Sequence, residues 1–533
     1  MKTKKPPTPV TLPGKRSNYS ILILLGFGLL FLFTFLYIFN SKLDLNGDNF
    51  SYLLLAKSIA KGFGYTDLYS PGMTPASHFP PGYPAILAFF MFLNVHSIFF
   101  FKILNGLFFL ASVCLLYLLM EKFTQNRTLS AIVAVLILLN SGLLSFATII
   151  MSEMSYLFFT CLAIYAVYRL GDRNDFLKSG YFYVLVCATV ITYYIRSIGI
   201  VLMLSILIYY LLQKRWKLSL AFAGGFFLLY LPWIIRNKIL NLEGRYFGTV
   251  MTVNPWRPEE GSIQSFGEFF QKIVSNLDET VIKGFREVLF PFIHIDYTVP
   301  SGLPSIVITL CLLSVIFYGI WKIGRFRMLF IFYLLGNIAT FLLWHGGNGA
   351  RYVHPLTPFL AYFFFWGLYR LLISVKSFKP AGKIIPYLYL LLIFGLITPI
   401  NALHEVNGRS YPPAYKNYFS LAKEFKKQKF TNPPTVCCRK PTMFSYYSEC
   451  QAINYLYSLE TNEVIQNLID NNVDFVVLEQ LGYASTPRYL YPAITANQEL
   501  FEVVKQLQNP ETYLLHFNRE KAIQKLSAEN PNP

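Results

Sequence analysis

Charge is scarce in this chain, and negative charge scarcest. Of 533 residues only 14% are Asp, Glu, Lys or Arg, with 28 acidic against 46 basic. A soluble domain carries about 25% charged residues, so an ordinary water-soluble fold is excluded. The 54% hydrophobic share, with 17% of the chain aromatic, points the same way. The formal charge of +18 comes from short Lys/Arg clusters between apolar runs. That is the pattern of topology signals and not of a nucleic-acid surface, so no nucleic-acid partner is expected. Cysteine is sparse too, seven in all. Cys114, Cys161, Cys187 and Cys311 lie inside apolar runs, where they serve as small hydrophobes. Cys437, Cys438 and Cys450 lie in the polar tail with no histidine at metal-ligand spacing. One disulfide from Cys450 to either neighbour stays open if the tail is extracytoplasmic. There is no glycine-rich phosphate loop to support nucleotide binding, no internal repeat and no low-complexity segment.

What is present is a succession of membrane-length apolar runs. The first, 19–39, follows Lys2, Lys4, Lys5, Lys15 and Arg16 and lacks a small-residue cleavage site, so it reads as a retained transmembrane helix. Further runs lie near 98–120, 129–147, 153–169, 180–195, 198–212, 218–235, 303–321, 328–344, 357–373 and 384–400, giving about eleven spans. With the amino terminus inside, the loops carrying Lys122 and Arg127, then Arg169, Arg173 and Lys178, then Lys214, Arg215 and Lys217, then Lys322, Arg325 and Arg327, then Arg370, Lys376, Lys379 and Lys383 all fall on the cytoplasmic side. The odd number of spans puts the tail outside. This count turns on Arg196: a single tilted helix over 180–212 would invert everything after it.

The expected architecture is therefore a polytopic α-helical membrane protein. Residues 1–400 form its transmembrane catalytic domain, with a first outer loop at 41–97 and a long outer loop at 236–300. Residues 401–533 form a small extracytoplasmic α/β domain. In the first outer loop, Asp44 and Asp48 precede a helical pattern with Phe50, Leu53, Leu54 and Ile59 on one side and Lys57 and Lys61 on another. Gly62 and Gly64 stop that helix. The turn Phe79-Pro80-Pro81-Gly82-Tyr83-Pro84 then opens a second one to about Leu93. Both suit a membrane surface. Asp48 has a plain alternative role as the cap of the helix starting at Asn49. In the long outer loop, Ile263, Phe266, Phe270, Ile273, Val274, Leu277, Val281 and Phe285 recur at helical spacing, an amphipathic helix for the outer leaflet. In the tail, strands are expected at 435–438, 473–478 and 512–517, and helices at 415–427, 463–471 and 498–508, with a partly parallel sheet.

Topology gathers the polar residues at one membrane face: Asp44, Asp48, His78, Glu153, Arg196, Arg236, His345, Arg351 and His354. Ionisable groups at bilayer depth cost about 3 kcal/mol each unless they pair or line a wet cavity, so a polar cavity opening outward is expected. Arg236 has a helix-anchoring role open to it, and Glu153 with Arg196 a structural ion pair. Arg351, just before a span, suits a lipid phosphate through bidentate hydrogen bonds. A carboxylate facing an arginine across a cavity is what transfer of a sugar from a lipid phosphate requires. The same carboxylates, Asp48 and Glu153, are the pair a divalent metal ion would use, and metal dependence stays open.

The order of the motifs adds to this. Gly47-Asp48-x-x-x-Tyr52-x-x-x-Ala56 with Gly62, Pro80-Pro81-Gly82-Tyr83-Pro84, Ser152-Glu153, Arg196-Ser197-x-Gly199, Leu231-Pro232-Trp233-x-x-Arg236-Asn237 and Arg351-Tyr352-x-x-Pro355-x-x-Pro358 together resemble the GT-C superfamily of integral-membrane glycosyltransferases. The similarity spans roughly residues 20 to 400 and is greatest to the bacterial branch related to protein O-mannosyltransferases and the lipid A aminoarabinose transferase. The resemblance implies a polyprenyl-phosphate-linked sugar as donor, Asp48 as catalytic carboxylate, Glu153 as a second polar residue and Arg351 at the donor phosphate. Asp44, Tyr52, His78, Tyr83, Arg196, His345 and Tyr352 complete the expected substrate-binding set. The chain departs from the branch at Asp48-Asn49, where many members have a second acid, and at His78-Phe79, where they have a basic residue before the paired prolines. The expectation is an inverting, multi-pass glycosyltransferase of the bacterial cytoplasmic membrane, working among membrane lipids on a lipid, glycan or protein acceptor. The competing expectation is a transporter or flippase of a lipid-linked saccharide, which would more often show paired half-repeats with broken helices.

Overall fold

A computed structural model describes residues 18–45, 47–242, 246–344, 349–428, 430 and 432–529. The membrane part begins with α1 (Asn18–Ile38) and, after the outer-loop helices α2 (Asp48–Ala60) and α3 (Gly82–Phe92), continues through α4 (Ile98–Thr124), α5 (Arg127–Leu138), α6 (Ser141–Ala147), α7 (Glu153–Leu170), α8 (Gly180–Ile195), α9 (Gly199–Leu212) and α10 (Trp216–Ile239). The long outer loop carries α11 (Tyr246–Met251), α12 (Phe266–Asn276) and α13 (Gly284–Leu289). Then come α14 (Leu303–Trp321), α15 (Arg327–Leu343), α16 (Thr357–Ser374), α17 (Ile385–Leu388) and α18 (Leu392–Gly408).

Among the described residues, seven helices are long and apolar enough to cross a membrane. The pair α5 and α6, bent by 62°, makes an eighth if it is one broken span. Helices α7, α8 and α9, of 18, 16 and 14 residues, occupy the remaining apolar runs. Arg196 divides α8 from α9: its backbone is extended, and the two helices pack on each other as separate elements. The bend after α5 corrects the expectation of unbroken helices. Asn140 fills the break, because its side chain accepts the Leu143 N–H at 3.1 Å and donates to the Val288 carbonyl at 2.9 Å. The Leu143 N–H freed by the kink is thus satisfied by protein, and Asn140 is itself anchored to α13.

Small residues set how closely the helices approach. A β-carbon on Gly319 of α14 would fall 2.0 Å from the Phe363 carbonyl oxygen of α16, and one on Gly367 would fall 2.1 Å from that of Val315. The two backbones touch, and a side chain at either position has nowhere to go. Gly82 meets the same condition, 2.6 Å from the Tyr194 backbone, which docks α3 on the end of α8.

The amphipathic helix of the long loop is real but not uniform. α12 runs into a π-helical turn, Leu277–Lys283, before α13. Phe266, Phe270 and Val274 are exposed, whereas Val281 and Phe285 are buried. The wider π turn shifts the phase of the apolar stripe, so the first half faces outward and the second half enters the protein.

The tail holds α19 (Pro413–Gln428), β1 (Thr435–Cys437), α20 (Pro441–Ser448), β2 (Gln451–Ile453), α21 (Thr461–Asp470), β3 (Phe475–Leu478), α22 (Tyr491–Ala496), β4 (Phe501–Leu507), β5 (Thr512–Phe517) and α23 (Arg519–Glu529). The sheet order is β2-β1-β3-β5-β4; β1 is parallel to β2 and β3, and β5 is antiparallel to β3 and β4. The helix expected over 498–508 is instead strand β4. A register shift between Val503 and Lys505 interrupts the two-residue alternation, leaving Leu500, Val503, Val504 and Leu507 at a spacing that mimics a helix. Cys437, Cys438 and Cys450 are buried free thiols, so the disulfide left open by the sequence is not formed.

This domain covers the first outer loop. Phe50 of α2 packs on Phe419, Tyr446 and Tyr447, and the Ala452 N–H donates to the Tyr69 carbonyl at 3.1 Å. The long loop clamps it from another side, where Glu259 accepts from Arg488 and Tyr489.

Candidate active site

α2 starts with a left-handed Gly47, φ +89°, a conformation that favours glycine, and Asp48 is its first residue. No side chain caps this helix, so Asp48 is not spent on the role that competed for it. Its Oδ2 instead accepts from the Arg351 guanidinium at 2.6 Å. On its other edge the same guanidinium faces Glu153, with Nε 3.5 Å from Oε1. Glu153 is the first residue of α7 and wholly buried, and it accepts from Arg196 at 2.8 Å. The chain of charges Asp48, Arg351, Glu153, Arg196 therefore joins four segments that are far apart in sequence. It alternates in sign, which is how buried charges are tolerated.

Neutral hydroxyls tie the cluster to its frame. Arg196 also donates to Ser152 Oγ at 3.1 Å, and Tyr52 of α2 donates to the same oxygen at 3.3 Å. Tyr52 stands edge-on to Tyr83 of α3, their ring centroids 5.0 Å apart. Burial first, then the Asp48 and Glu153 charges, push the Tyr52 phenol well above its usual range, so it stays a neutral donor. Burial alone would pull the Arg351 guanidinium down, but the Glu153 and Asp48 charges more than offset this and hold it firmly cationic. Tyr352, next in the chain, accepts from Trp344 at 3.2 Å and stacks on Phe341.

Two of the expected residues are not brought to this cluster. Asp44 acts on Lys102 and Tyr411, at the junction of α4 with the tail. His78 is exposed, packs edge-on to Phe79 and acts on Asp67. The reason is that the segment after α2 folds back on itself, with Thr66 bridged to Pro75, and carries His78 outward. His345 lies outside the described residues. Arg236 is a hook: its guanidinium donates to the Tyr65 and Ala76 carbonyls at 2.8 and 3.1 Å and stacks on Trp233, fixing the outer loop to α10. His354 is buried against Phe146, and a β-carbon on Gly142 would fall 2.3 Å from its ring.

Two framework residues escaped the sequence reading. Asn49 accepts the Ile150 N–H at 3.0 Å. Asn105 aims its amide at the Phe146, Ile149 and Met151 carbonyls and accepts from Tyr83. An asparagine inside an apolar span was the available signal for Asn105. No group of three His, Cys, Asp or Glu able to hold a metal ion occurs among the described residues. Both site carboxylates face arginines, so the residues as arranged do not fit a resident divalent cation.

Residues 73–243 match the dolichyl-phosphate-mannose-protein mannosyltransferase family. No curated protein matches the chain in sequence. ArnT from Cupriavidus metallidurans bound to undecaprenyl phosphate has a similar structure, with a TM-score of 0.56 and 11% identity over 94% of this chain and 98% of that one. Its apo state gives 0.55 and 13% over the same shares. Arabinofuranosyltransferase AftD from Mycobacteria is similar at a TM-score of 0.46 and 10% identity, covering 92% of this chain and 40% of that one. The chain thus has the ArnT-like fold, and the segment from the loop before α3 to the end of α10 is the part that matches the protein-mannosyltransferase family.

Proposed function

We propose that the protein transfers a sugar from a polyprenyl-phosphate donor to an acceptor hydroxyl, with inversion, at the outer face of a bacterial cytoplasmic membrane. The observation that carries this is the Asp48–Arg351 pair at the head of α2, a carboxylate and a guanidinium in direct contact. The donor phosphate replaces the Asp48 carboxylate on Arg351, which releases Asp48 to act as base. Asp48 then takes the proton of the acceptor hydroxyl as its oxygen bonds to the anomeric carbon. The bond from that carbon to the phosphate oxygen breaks on the opposite face, and Arg351 neutralises the departing polyprenyl phosphate. Glu153 and Arg196 are positioning residues that hold Arg351 in place, and Tyr52 keeps Ser152 and α2 in register with them.

ArnT, of the same fold, has been crystallised with undecaprenyl phosphate, which supports a lipid of this class as the donor's carrier. In this reading residues 1–400 perform transfer, the amino terminus is cytoplasmic, and the 401–533 domain is extracytoplasmic over the site. The test is binding of undecaprenyl phosphate to the purified protein. It should raise the thermal midpoint of wild type and of Asp48→Asn but not of Arg351→Ala. Equal shifts in wild type and Arg351→Ala would remove Arg351 from the donor site.

A further inference from the structure

A second basic cluster lies in the tail, apart from the Asp48 site. Arg439 and Lys440 lie between β1 and α20, and Lys440 is the residue on which α20 opens. The Arg439 guanidinium lies over the rings of Tyr483 at 4.5 Å, Tyr457 at 5.6 Å and Trp256 at 5.8 Å. The Lys440 ammonium lies 4.5 Å from the Tyr483 centroid. Three segments thus meet around these cations: the tail, the 236–300 loop through Trp256, and the 41–97 loop. The last comes close at Gly47, where an added β-carbon would sit 3.5 Å from Lys440 Nζ. Gly47 directly precedes Asp48.

These two cations have no counter-ion of their own. Among the described residues no carboxylate pairs with either, and the buried Arg439 Nε has no hydrogen-bond partner. The acids on this face are already committed. Glu479 gives one oxygen to the Leu481 N–H and the other to the Thr486 hydroxyl, and reaches the pair only at longer range. Glu259 is taken by Arg488 and Tyr489. Two adjacent positive charges, half-buried and held on aromatic rings, are costly unless an anion joins them. A guanidinium fork, a point-charge ammonium and the start of a helix together suit an oxyanion.

We infer that Arg439 and Lys440 bind an oxyanion, a phosphate or carboxylate, carried by the acceptor close to the hydroxyl that receives the sugar. The inference rests on the glycosyl-transfer reading of the Asp48 site. The donor phosphate belongs to Arg351, on the side of α2 where Tyr52 meets Ser152. Lys440 approaches from the tail, on the side where Phe50 meets Tyr446. Inverting displacement needs the acceptor and the leaving phosphate on opposite sides of the anomeric carbon, which an acceptor approaching α2 from the Phe50–Tyr446 side would meet.

The experiment compares the full-length wild type with Arg439→Gln/Lys440→Gln and with Lys440→Gln alone, which leaves the Arg439 ring contacts intact. Inorganic pyrophosphate and, separately, citrate are titrated calorimetrically at low salt. The KM for acceptor in a membrane extract is measured beside donor hydrolysis without acceptor. The wild type is expected to bind at least one probe, pyrophosphate marking a phosphate-bearing acceptor and citrate a carboxylate-bearing one. Both variants should bind that probe more weakly and raise the acceptor KM, the double variant by about tenfold or more, the scale of a lost charge-assisted contact. Donor hydrolysis should be unchanged. No probe binding by wild type, equal binding by the variants, or an unchanged acceptor KM would overturn the inference. If wild type consumes no donor, the transfer reading fails, while the titration still decides whether the anion site exists.

Discussion

Glu153 is fully buried and serves two arginines, at 2.8 Å from Arg196 and 3.5 Å from Arg351. Glu153→Gln keeps the shape and removes the charge, leaving Arg196 without its carboxylate and Arg351 with only the partly exposed Asp48. Breaking a buried pair by neutralising one partner costs about 3–5 kcal/mol. At roughly 1 °C per kcal/mol for a chain of this length, the thermal midpoint should fall by about 3–5 °C. The Asp48–Arg351 bond is about a quarter exposed on both sides, so Asp48→Asn should cost no more than about 1 kcal/mol after solvent screening. The assay is aggregation of detergent-solubilised protein against temperature, followed by size-exclusion chromatography. A Glu153→Gln midpoint equal to wild type, or a larger loss in Asp48→Asn, would refute the reasoning that Glu153 is the electrostatic keystone of the site.

Arg236→Met removes two charge-assisted bonds to the Tyr65 and Ala76 carbonyls, worth about 1.5–3 kcal/mol each. Cleavage of the 62–78 segment by limited proteolysis should accelerate by at least tenfold, while α2 stays protected. Gly319→Val should cost more than the roughly 1–3 kcal/mol of ordinary overpacking, since the atom it meets is α16 backbone, and should lower the yield of folded protein. Burial raises the Glu479 carboxyl above its usual value of 4.5, so its neutral form is more favoured in the folded tail than in the unfolded chain. A raised acid contributes stability that is fully present below pH 4.5 and lost as pH rises through the folded value. The thermal midpoint should therefore show a downward component as pH rises from 4.5, and Glu479→Gln should flatten it.

The apolar runs were legible because hydrophobic length is a one-dimensional property; each became helical, but 129–147 split into α5 and α6 and 384–400 into α17 and α18, and seven helices, or eight with the bent pair, are span-length where about eleven were expected. So was the meeting of Asp48, Glu153, Arg196 and Arg351: topology alone puts them at one membrane end, and scarce charges there must pair. Their partners within that end were not legible. Asp44 and His78 share the loop with Asp48 but point elsewhere, since a local backbone fold and not loop membership decides direction. The π turn after α12 and the bulge in β4 each break a periodicity that the sequence displays intact. Arg439 and Lys440 were invisible as a pair of interest because their setting comes from Trp256, Tyr457 and Tyr483, which no spacing rule joins to them.

The most direct test of the central claim is sugar transfer from radiolabelled polyprenyl-phosphate sugars by purified wild type and Asp48→Asn, with a membrane extract as acceptor source and with and without chelator. A positioned general base is worth about 10²–10⁴ in rate, so Asp48→Asn should lose that much while folding and binding undecaprenyl phosphate as wild type does. Chelation should leave both unchanged, since Glu153 stays on Arg196 and does not join the released Asp48 in holding a cation. Transfer by Asp48→Asn at the wild-type rate would contradict the account.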